Sequence, residues 1–317
     1  MVVMGVIFST HDLNRSERFD YWHEVVYRTY APCVGKVDST TDFQASVGVS
    51  NFGAAQITEV RSSGISYERR AFDVRTGPRE DFYAVAMLSG RTMVTQDGRD
   101  IVAEAGDVYL YNSAKPYSHR SESNYHCLSM RIPLPILHSR LLNVDELSGS
   151  VLRSGTPYGR MVSSLIKEAA EISSSDGITD MLEFSGPVID MISAAMNRAT
   201  TEAVPSSSRN QNLLVRIQRY MRENLDDSTL TLASISKEQN VSVRTLARLF
   251  GDIDATPMGW LQNQRLARAY ADLAERRALS VTEAAFAVGF NDLSHFGRVF
   301  KKCYGHTPHT LLGVRSN

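Results

Sequence analysis

Arginines in the last quarter of the chain offer the most specific chemistry that the sequence contains. Arg244 and Arg248 stand one helical turn apart, and Ser294, Arg298 and Lys301 recur at steps of four and three. Residues three or four apart share a face of a helix. Each set therefore puts a guanidinium beside small polar or cationic groups, with Thr245 next to the first set and His295 next to the second. A guanidinium can hold O6 and N7 of guanine through two parallel hydrogen bonds, while hydroxyls, lysines and helix N-termini can hold phosphates. Such readout needs the arginine on the outer face of a short helix that is braced from behind.

The brace is visible in the neighbouring apolar residues. Val281, Ala284, Ala285 and Val288 form one stripe at helical spacing, and Phe296, Val299 and Phe300 form another. Gly289 and Phe290 lie between them. Glycine lets the chain turn with positive φ, and Phe290 is expected to fill the gap between the two helices. The same arrangement stands upstream. Leu232 and Ile235 are followed by a turn at Asn240-Val241, by Ser242 as an N-cap, and by Val243, Leu246, Leu249 and Phe250 turned inward. Asparagine tolerates the left-handed conformation such a turn requires. Thr256-Pro257, an N-cap followed by proline at the first helical position, opens a connecting helix with Trp260, Leu261, Arg265, Leu266 and Ala269. The sequence thus carries two helix-turn-helix patterns, with Arg248 and Arg298 in equivalent places.

At these residues the sequence resembles the AraC/XylS family of bacterial transcription regulators. The resemblance rests on Gly289-Phe290, Ser294-His295-Phe296, Arg298-Val299-Phe300-Lys301 and Gly305-His306-Thr307-Pro308. Ser242, Leu246, Arg248 and Phe250 match in the first half, and Pro257, Arg265 and Ala269 between the halves. It covers residues 212–313. Three positions depart from the family pattern. Ser236 stands where alanine is usual, Asn240 where glycine is usual, and Ala284 where a larger aliphatic is common. Slightly looser helix packing is expected at Ser236 and Ala284. The resemblance implies an effector-responsive activator of a catabolic or neighbouring operon, with double-stranded DNA, RNA polymerase and a second copy of the chain as partners. It also implies DNA contacts from Arg244, Thr245, Arg248, Ser294, His295, Arg298 and Lys301.

Charge supports a nucleic-acid partner once the chain is divided. The net charge is −1 for 317 residues, but from Pro205 onward 15 Lys and Arg face 10 Asp and Glu, a net of +5. The preceding part carries 19 against 25, a net of −6. A basic C-terminal domain on an acidic N-terminal one is the asymmetry expected of a site-directed, salt-sensitive DNA binder. Cys33, Cys127 and Cys303 are odd in number and far apart, which fits a reducing cytoplasm and forms neither a disulfide framework nor a metal spacing. The apolar opening, residues 1–8, is too short and too quickly polar for a signal peptide or a membrane span.

Residues 14–31 place Phe19, Trp22, Val25 and Val26 on one helical face, read as a helix packed on the outside of a sheet. From residue 43 to 132 the period changes. Residues 65–72 alternate, residues 82–88 are a nearly continuous apolar run expected to be buried on both faces, and Gln96-Asp97-Gly98-Arg99 is a hairpin signal. Short strands at regular spacing predict a sandwich or barrel. Gly106-Asp107, a strand, Pro116 and then His119 resemble a cupin-type jelly roll, the usual sensor of this family. Such a barrel is expected to bind a small organic effector with an apolar or aromatic body and a polar or anionic group. Candidate contacts are Tyr67, Arg69, Tyr83, Tyr109, Tyr117 and His119, the arginine offering a bidentate hold on a carboxylate. A cupin could also be a metal enzyme with an appended DNA-binding module. His119 and His126 lack the accompanying His-x-His pair and glutamate, so no metal ligand and no cofactor is assigned. Neither a Ser-His-Asp order nor a phosphate-cradling glycine loop is present, and no catalytic residue is assigned.

Residues 159–173 and 179–198 read as two helices around a break at Gly177. Their stripes are Met161, Leu165, Ala169, Ile172 and Met181, Phe184, Val188, Met191, Ile192, Ala195. Either stripe could pack on the barrel or form a dimer interface. Residues 200–212 have linker composition. The expected architecture is α+β and multidomain. A cupin-like jelly-roll sensor spans 1–158, a helical dimerisation segment 159–199, a linker 200–212, and an all-α double helix-turn-helix domain 213–313. A repressor, or a constitutive binder with a silent sensor, fits the same residues.

Overall fold

The computed structural model describes residues 5–37, 43–174, 181–203 and 209–312. Gly177 and residues 204–208 of the expected linker lie outside the described residues.

Period-2 alternation and turn chemistry build the N-terminal unit. Its strands are β1 (Val6–Ser9), β2 (Val34–Lys36), β3 (Ala45–Phe52), β4 (Ala55–Ser62), β5 (Ile65–Arg69) and β6 (Asp81–Ser89). They continue as β7 (Arg91–Gln96), β8 (Arg99–Glu104), β9 (Val108–Asn112), β10 (Tyr117–Ser121), β11 (Tyr125–Pro133) and β12 (Ser150–Leu152). One sheet runs β1-β3-β4-β11-β6-β9-β12 and the other β2-β5-β10-β7-β8. Antiparallel neighbours that are distant in sequence, such as β4 with β11 and β5 with β10, make this a jelly-roll arrangement. The hairpin between β7 and β8 turns on Asp97 (φ 51°) and Gly98 (φ 71°), both positive as a two-residue primed turn requires.

Helices accompany the strands in sequence. They are α1 (Arg18–Thr29), α2 (Ala71–Thr76), α3 (Leu134–His138), α4 (Val144–Leu147), α5 (Pro157–Ser173) and α6 (Leu182–Ala203). α5 packs on the seven-stranded sheet over β3, β4, β6, β9 and β11. This explains the apolar run of β6. Tyr83, Val85 and Met87 join the core between the sheets, while Phe82, Ala84 and Ala86 are buried on the opposite face.

The buried faces of α5 and α6 are rotated from the expected stripes. α5 buries Val162, Ser163, Ile166, Ala169 and Ala170, and leaves Met161 exposed. α6 buries Ser185, Ile189, Ile192 and Met196, while Phe184 and Met191 remain about half exposed, at 50% and 46%. Ala169, Met181, Ile192 and Ala195 of the expected stripes are buried, and small residues such as Ser163 and Ser185 share the buried faces, so hydropathy alone places those faces only in part. α6 also runs to Ala203 and the next helix starts at Arg209, which narrows the expected linker at both ends.

The helical unit contains α7 (Arg209–Glu223), α8 (Leu232–Glu238), α9 (Val243–Gly251), α10 (Pro257–Ala274), α11 (Val281–Ala287), α12 (Leu293–Tyr304) and α13 (His309–Leu312). Residues 135–142, expected in the sensor domain, group with this unit. Arg140 forms a nearly buried 2.8 Å ion pair with Glu275, and Arg222 donates to the Ser139 and Arg140 carbonyls. α10 serves two cores. Trp260 and Leu261 pack with Ile217, Ile235, Leu246 and Phe250, whereas Leu266, Ala269 and Leu273 pack with Ala285, Phe296 and Phe300.

Candidate functional site

Local capping chemistry positions both arginine-bearing helices. The hydroxyl of Ser242 accepts from the Thr245 N–H at 3.0 Å and starts α9. The carboxylate of Asp292 accepts from the N–H groups of Ser294 and His295 at 2.8 and 3.2 Å and starts α12. Those two hydrogen bonds hold the Asp292 carboxyl below its ordinary range. They also occupy two of the first donors of α12. The turns before the two helices match. Asn240 has φ 53° and Gly289 has φ 78°. Ser236, one of the three departures, donates its hydroxyl to the Val241 carbonyl across the first turn and so tightens that turn.

Arg244, Arg248, Ser294, His295, Arg298 and Lys301 are all exposed, and Thr245 is half-buried beside its partner Ser242. Arg248 lies 3.6 Å from Asp252, and Arg298 Nε donates to the Ser294 carbonyl at 3.3 Å. The helix faces thus carry the guanidiniums outward while Leu246, Leu249 and Phe250, or Phe296 and Phe300, anchor them from behind. Val243 was expected inward and is instead 46% exposed. It is the first residue of α9, as Leu293 is of α12, and both lie too early in the helix to reach the core. Lys302, exposed beside Lys301, belongs to the same basic surface.

A second site lies within the N-terminal unit. The two sheets and α1 enclose a cavity whose empty space, mouth included, is about 690 Å³. Of the expected residues, Tyr67, Tyr109, Tyr117 and His119 line it together. Tyr111 joins them, with its ring 4.5 Å from His119 edge-on and stacked 4.7 Å from Tyr83. Tyr83 itself stands behind Tyr111 and is not among the lining residues. Burial pushes the phenols of Tyr67, Tyr109, Tyr111 and Tyr117 up and the imidazole of His119 down to about 3, so all five are neutral near pH 7.

Arg69 does not line the cavity. It is 1% exposed and donates to the carbonyls of Ser113, Pro32, Asp73 and Gly77 at 2.9, 2.7, 3.3 and 2.8 Å. Its guanidinium ties loops together, which a strand-alternation argument has no means of seeing. α1 is also more than a cover. Trp22, Val26 and Tyr30 form one wall, and Trp22 Nε1 donates to the Tyr67 hydroxyl at 2.6 Å. Only contacts across 45 residues of sequence reveal that role. His126 does not converge with His119 but pairs with Glu59 at 2.8 Å. Among the described residues no group of three or more His, Cys, Asp or Glu is arranged to hold a metal ion.

A jelly-roll barrel with an aromatic cavity, followed in one chain by two helix-turn-helix motifs with outward arginines, defines a class of DNA-binding transcription regulators. Residues 22–179 match the family model of the AraC-binding-like domain, and residues 235–313 match that of a helix-turn-helix domain. The chain belongs to the AraC/XylS family. It is 26% identical over 308 residues to the transcriptional activator NphR of Rhodococcus sp., spanning 96% of this chain and 91% of that one. It is 32% identical over 91 residues to the arabinose operon regulatory protein of Escherichia coli (strain K12), covering 28% of this chain and 31% of that protein. The crystal structure of the AraC-like transcriptional activator CuxR shares the fold, with a TM-score of 0.56 at 22% identity over 84% of this chain and 96% of its own. The family assignment makes the chain a DNA-binding regulator, not a metal enzyme with an appended DNA-binding module. No helix among the described residues is long and apolar enough to cross a membrane.

Proposed function

We propose that the chain is an effector-responsive transcription activator that works in the cytoplasm as a homodimer and recruits RNA polymerase. The reading rests on Arg248 and Arg298, exposed at the same position of two second helices that each follow a left-handed turn residue. α9 and α12 each enter a major groove, and α10 spaces them by about one DNA turn, ~34 Å. Arg248 and Arg298 read guanine, and Arg244, Thr245, Ser294, His295 and Lys301 contribute phosphate or base contacts. Activation is supported by the similarity to NphR, a transcriptional activator. Dimerisation is supported by Phe184, Val188 and Met191, which form an incompletely buried apolar strip at i, i+4 and i+7 on α6. The aromatic cavity receives the effector, whose binding shifts the population of DNA-competent chains. The test is selection of duplexes by the full-length chain, followed by a reporter carrying the selected site upstream of a promoter. Enrichment of one site and effector-dependent transcription are expected. Failure to enrich any site would reject the reading.

A further inference from the structure

We propose that the barrel takes an uncharged, planar effector, held by hydrogen bonds to His119 Nε2 and Ser129 Oγ and by no ion pair. The proposal deepens the sensor reading above and rests on it.

The first observation is the absence of charge in the wall. Among the described residues that line the cavity there is no Asp, Glu, Lys or Arg. Arg69 turns its donors onto four backbone carbonyls, and Glu59 is engaged by His126 and Arg61. Neither lines the cavity. An ion entering it would shed water without gaining a counter-charge, which weakens binding on the order of a hundredfold or more.

The second observation is a pair of buried polar atoms without partners. His119 Nε2 and Ser129 Oγ are both sealed from solvent, and neither has a hydrogen-bond partner. Both residues line the cavity. His119 is on β10 of the five-stranded sheet and Ser129 on β11 of the seven-stranded sheet, so the two residues line the same cavity from the two walls of the sandwich. Buried polar groups in folded proteins are nearly always paired, and two unpaired ones sharing a cavity mark the polar points of a ligand. Two other hydroxyls in the wall are already used. The Tyr67 hydroxyl accepts from Trp22, and the Tyr30 hydroxyl is bonded to Thr58 Oγ1 at 2.7 Å. His119 can present a proton or a lone pair by choice of tautomer, and serine can do both. Neutral amides, alcohols and carbonyls satisfy such a pair.

The third observation is shape. The rings of Tyr109, Tyr111, Tyr117 and Trp22 surround the same space, with Tyr117 stacked on His119 at 4.9 Å. Aromatic walls favour a flat partner that can stack or meet ring edges.

Benzamide, benzoate and benzamidinium test this directly, because they are planar and nearly equal in size and differ in charge. Each is titrated into the full-length chain and followed by melting temperature and calorimetry. Benzamide is expected to raise the melting temperature and to bind at least about tenfold more tightly than either ion. His119→Phe, which keeps a ring against Tyr117, and Ser129→Ala should each weaken benzamide by about five- to tenfold. His119→Gln, which keeps a hydrogen-bonding group, should weaken it less. Melting curves of the unliganded variants check that each still folds. Equal or tighter binding of benzoate or benzamidinium overturns the proposal and leaves the sensor reading standing. Binding of none of the three also overturns it. The sensor reading is then judged by the reporter response, which makes no assumption about ligand charge.

Discussion

The outward placement of Arg248 and Arg298 was legible from local spacing because a helix repeats every 3.6 residues and both faces of α9 and of α12 are written within nine or twelve residues. Arg248→Ala and Arg298→Ala are expected to cost about 1–3 kcal/mol of DNA binding each and to relax preference at one base position. Fluorescence anisotropy with the selected duplex and its single-base variants measures both. Gly289 carries a different constraint. Its φ is 78°, and an added Cβ would lie 2.7 Å from the Leu225 carbonyl oxygen. Gly289→Ala should therefore lower stability by about 1–3 kcal/mol, seen in chemical denaturation, whereas Asn240→Gly should be nearly neutral or slightly stabilising. Arg69 and Trp22 were not legible in the same way. Their roles depend in part on carbonyls and hydroxyls 37 to 45 residues away, and no local period encodes such pairs. His119 adds a pH signature. Its ordinary value of 6.5 falls to about 3 in the folded chain, so the unfolded chain binds a proton that the folded one refuses. The associated stability is present above pH 6.5 and is lost as pH falls from 6.5 toward 3, at a slope of up to about 1.4 kcal/mol per pH unit. In His119→Phe this part of the slope should disappear from denaturation curves taken across that range.

At the scale of elements, the strands of the barrel and the helices of the C-terminal unit follow their periodicities closely. The hairpin at Asp97-Gly98 and the N-caps Ser242, Thr256, Ser280 and Asp292 lie where turn and capping chemistry places them. α5 and α6 are the exception, because serines such as Ser163, Ser185 and Ser193 sit on their buried faces while Met161, Phe184 and Met191 remain outside. That rotation changes how dimerisation is tested. Ile192 is fully buried, so Ile192→Glu places an unpaired charge in the core and should unfold the N-terminal unit. Phe184 and Met191 are half exposed, so Phe184→Glu with Met191→Glu should leave circular dichroism unchanged. Sedimentation should then show monomers where the parent chain shows dimers. Dimers that survive the double substitution would place the interface elsewhere.

For the molecule as a whole, the division of charge and of secondary structure was legible, since composition changes with the domain. The net of −6 before Pro205 belongs to the barrel and its helices, and the net of +5 after it to the helix-turn-helix unit. The grouping of residues 135–142 with the helical unit was not legible, because the Arg140–Glu275 pair joins positions 135 apart. If the cavity governs DNA binding, the two must be linked thermodynamically. An effector that changes DNA affinity by some factor must have its own affinity changed by the same factor when DNA is bound. Couplings of this kind are typically about 5- to 150-fold. The full-length chain is therefore titrated with effector in the absence and presence of saturating selected duplex, and with duplex in the absence and presence of saturating effector. Equal factors above about five in both directions are expected. An effector that raises the melting temperature, by ~2.7 kcal/mol of stability at 100 times its dissociation constant, yet gives a factor of one in both directions, would show that the barrel binds its ligand without governing DNA affinity. Regulation would then have to act after DNA is bound, at the step where polymerase is engaged.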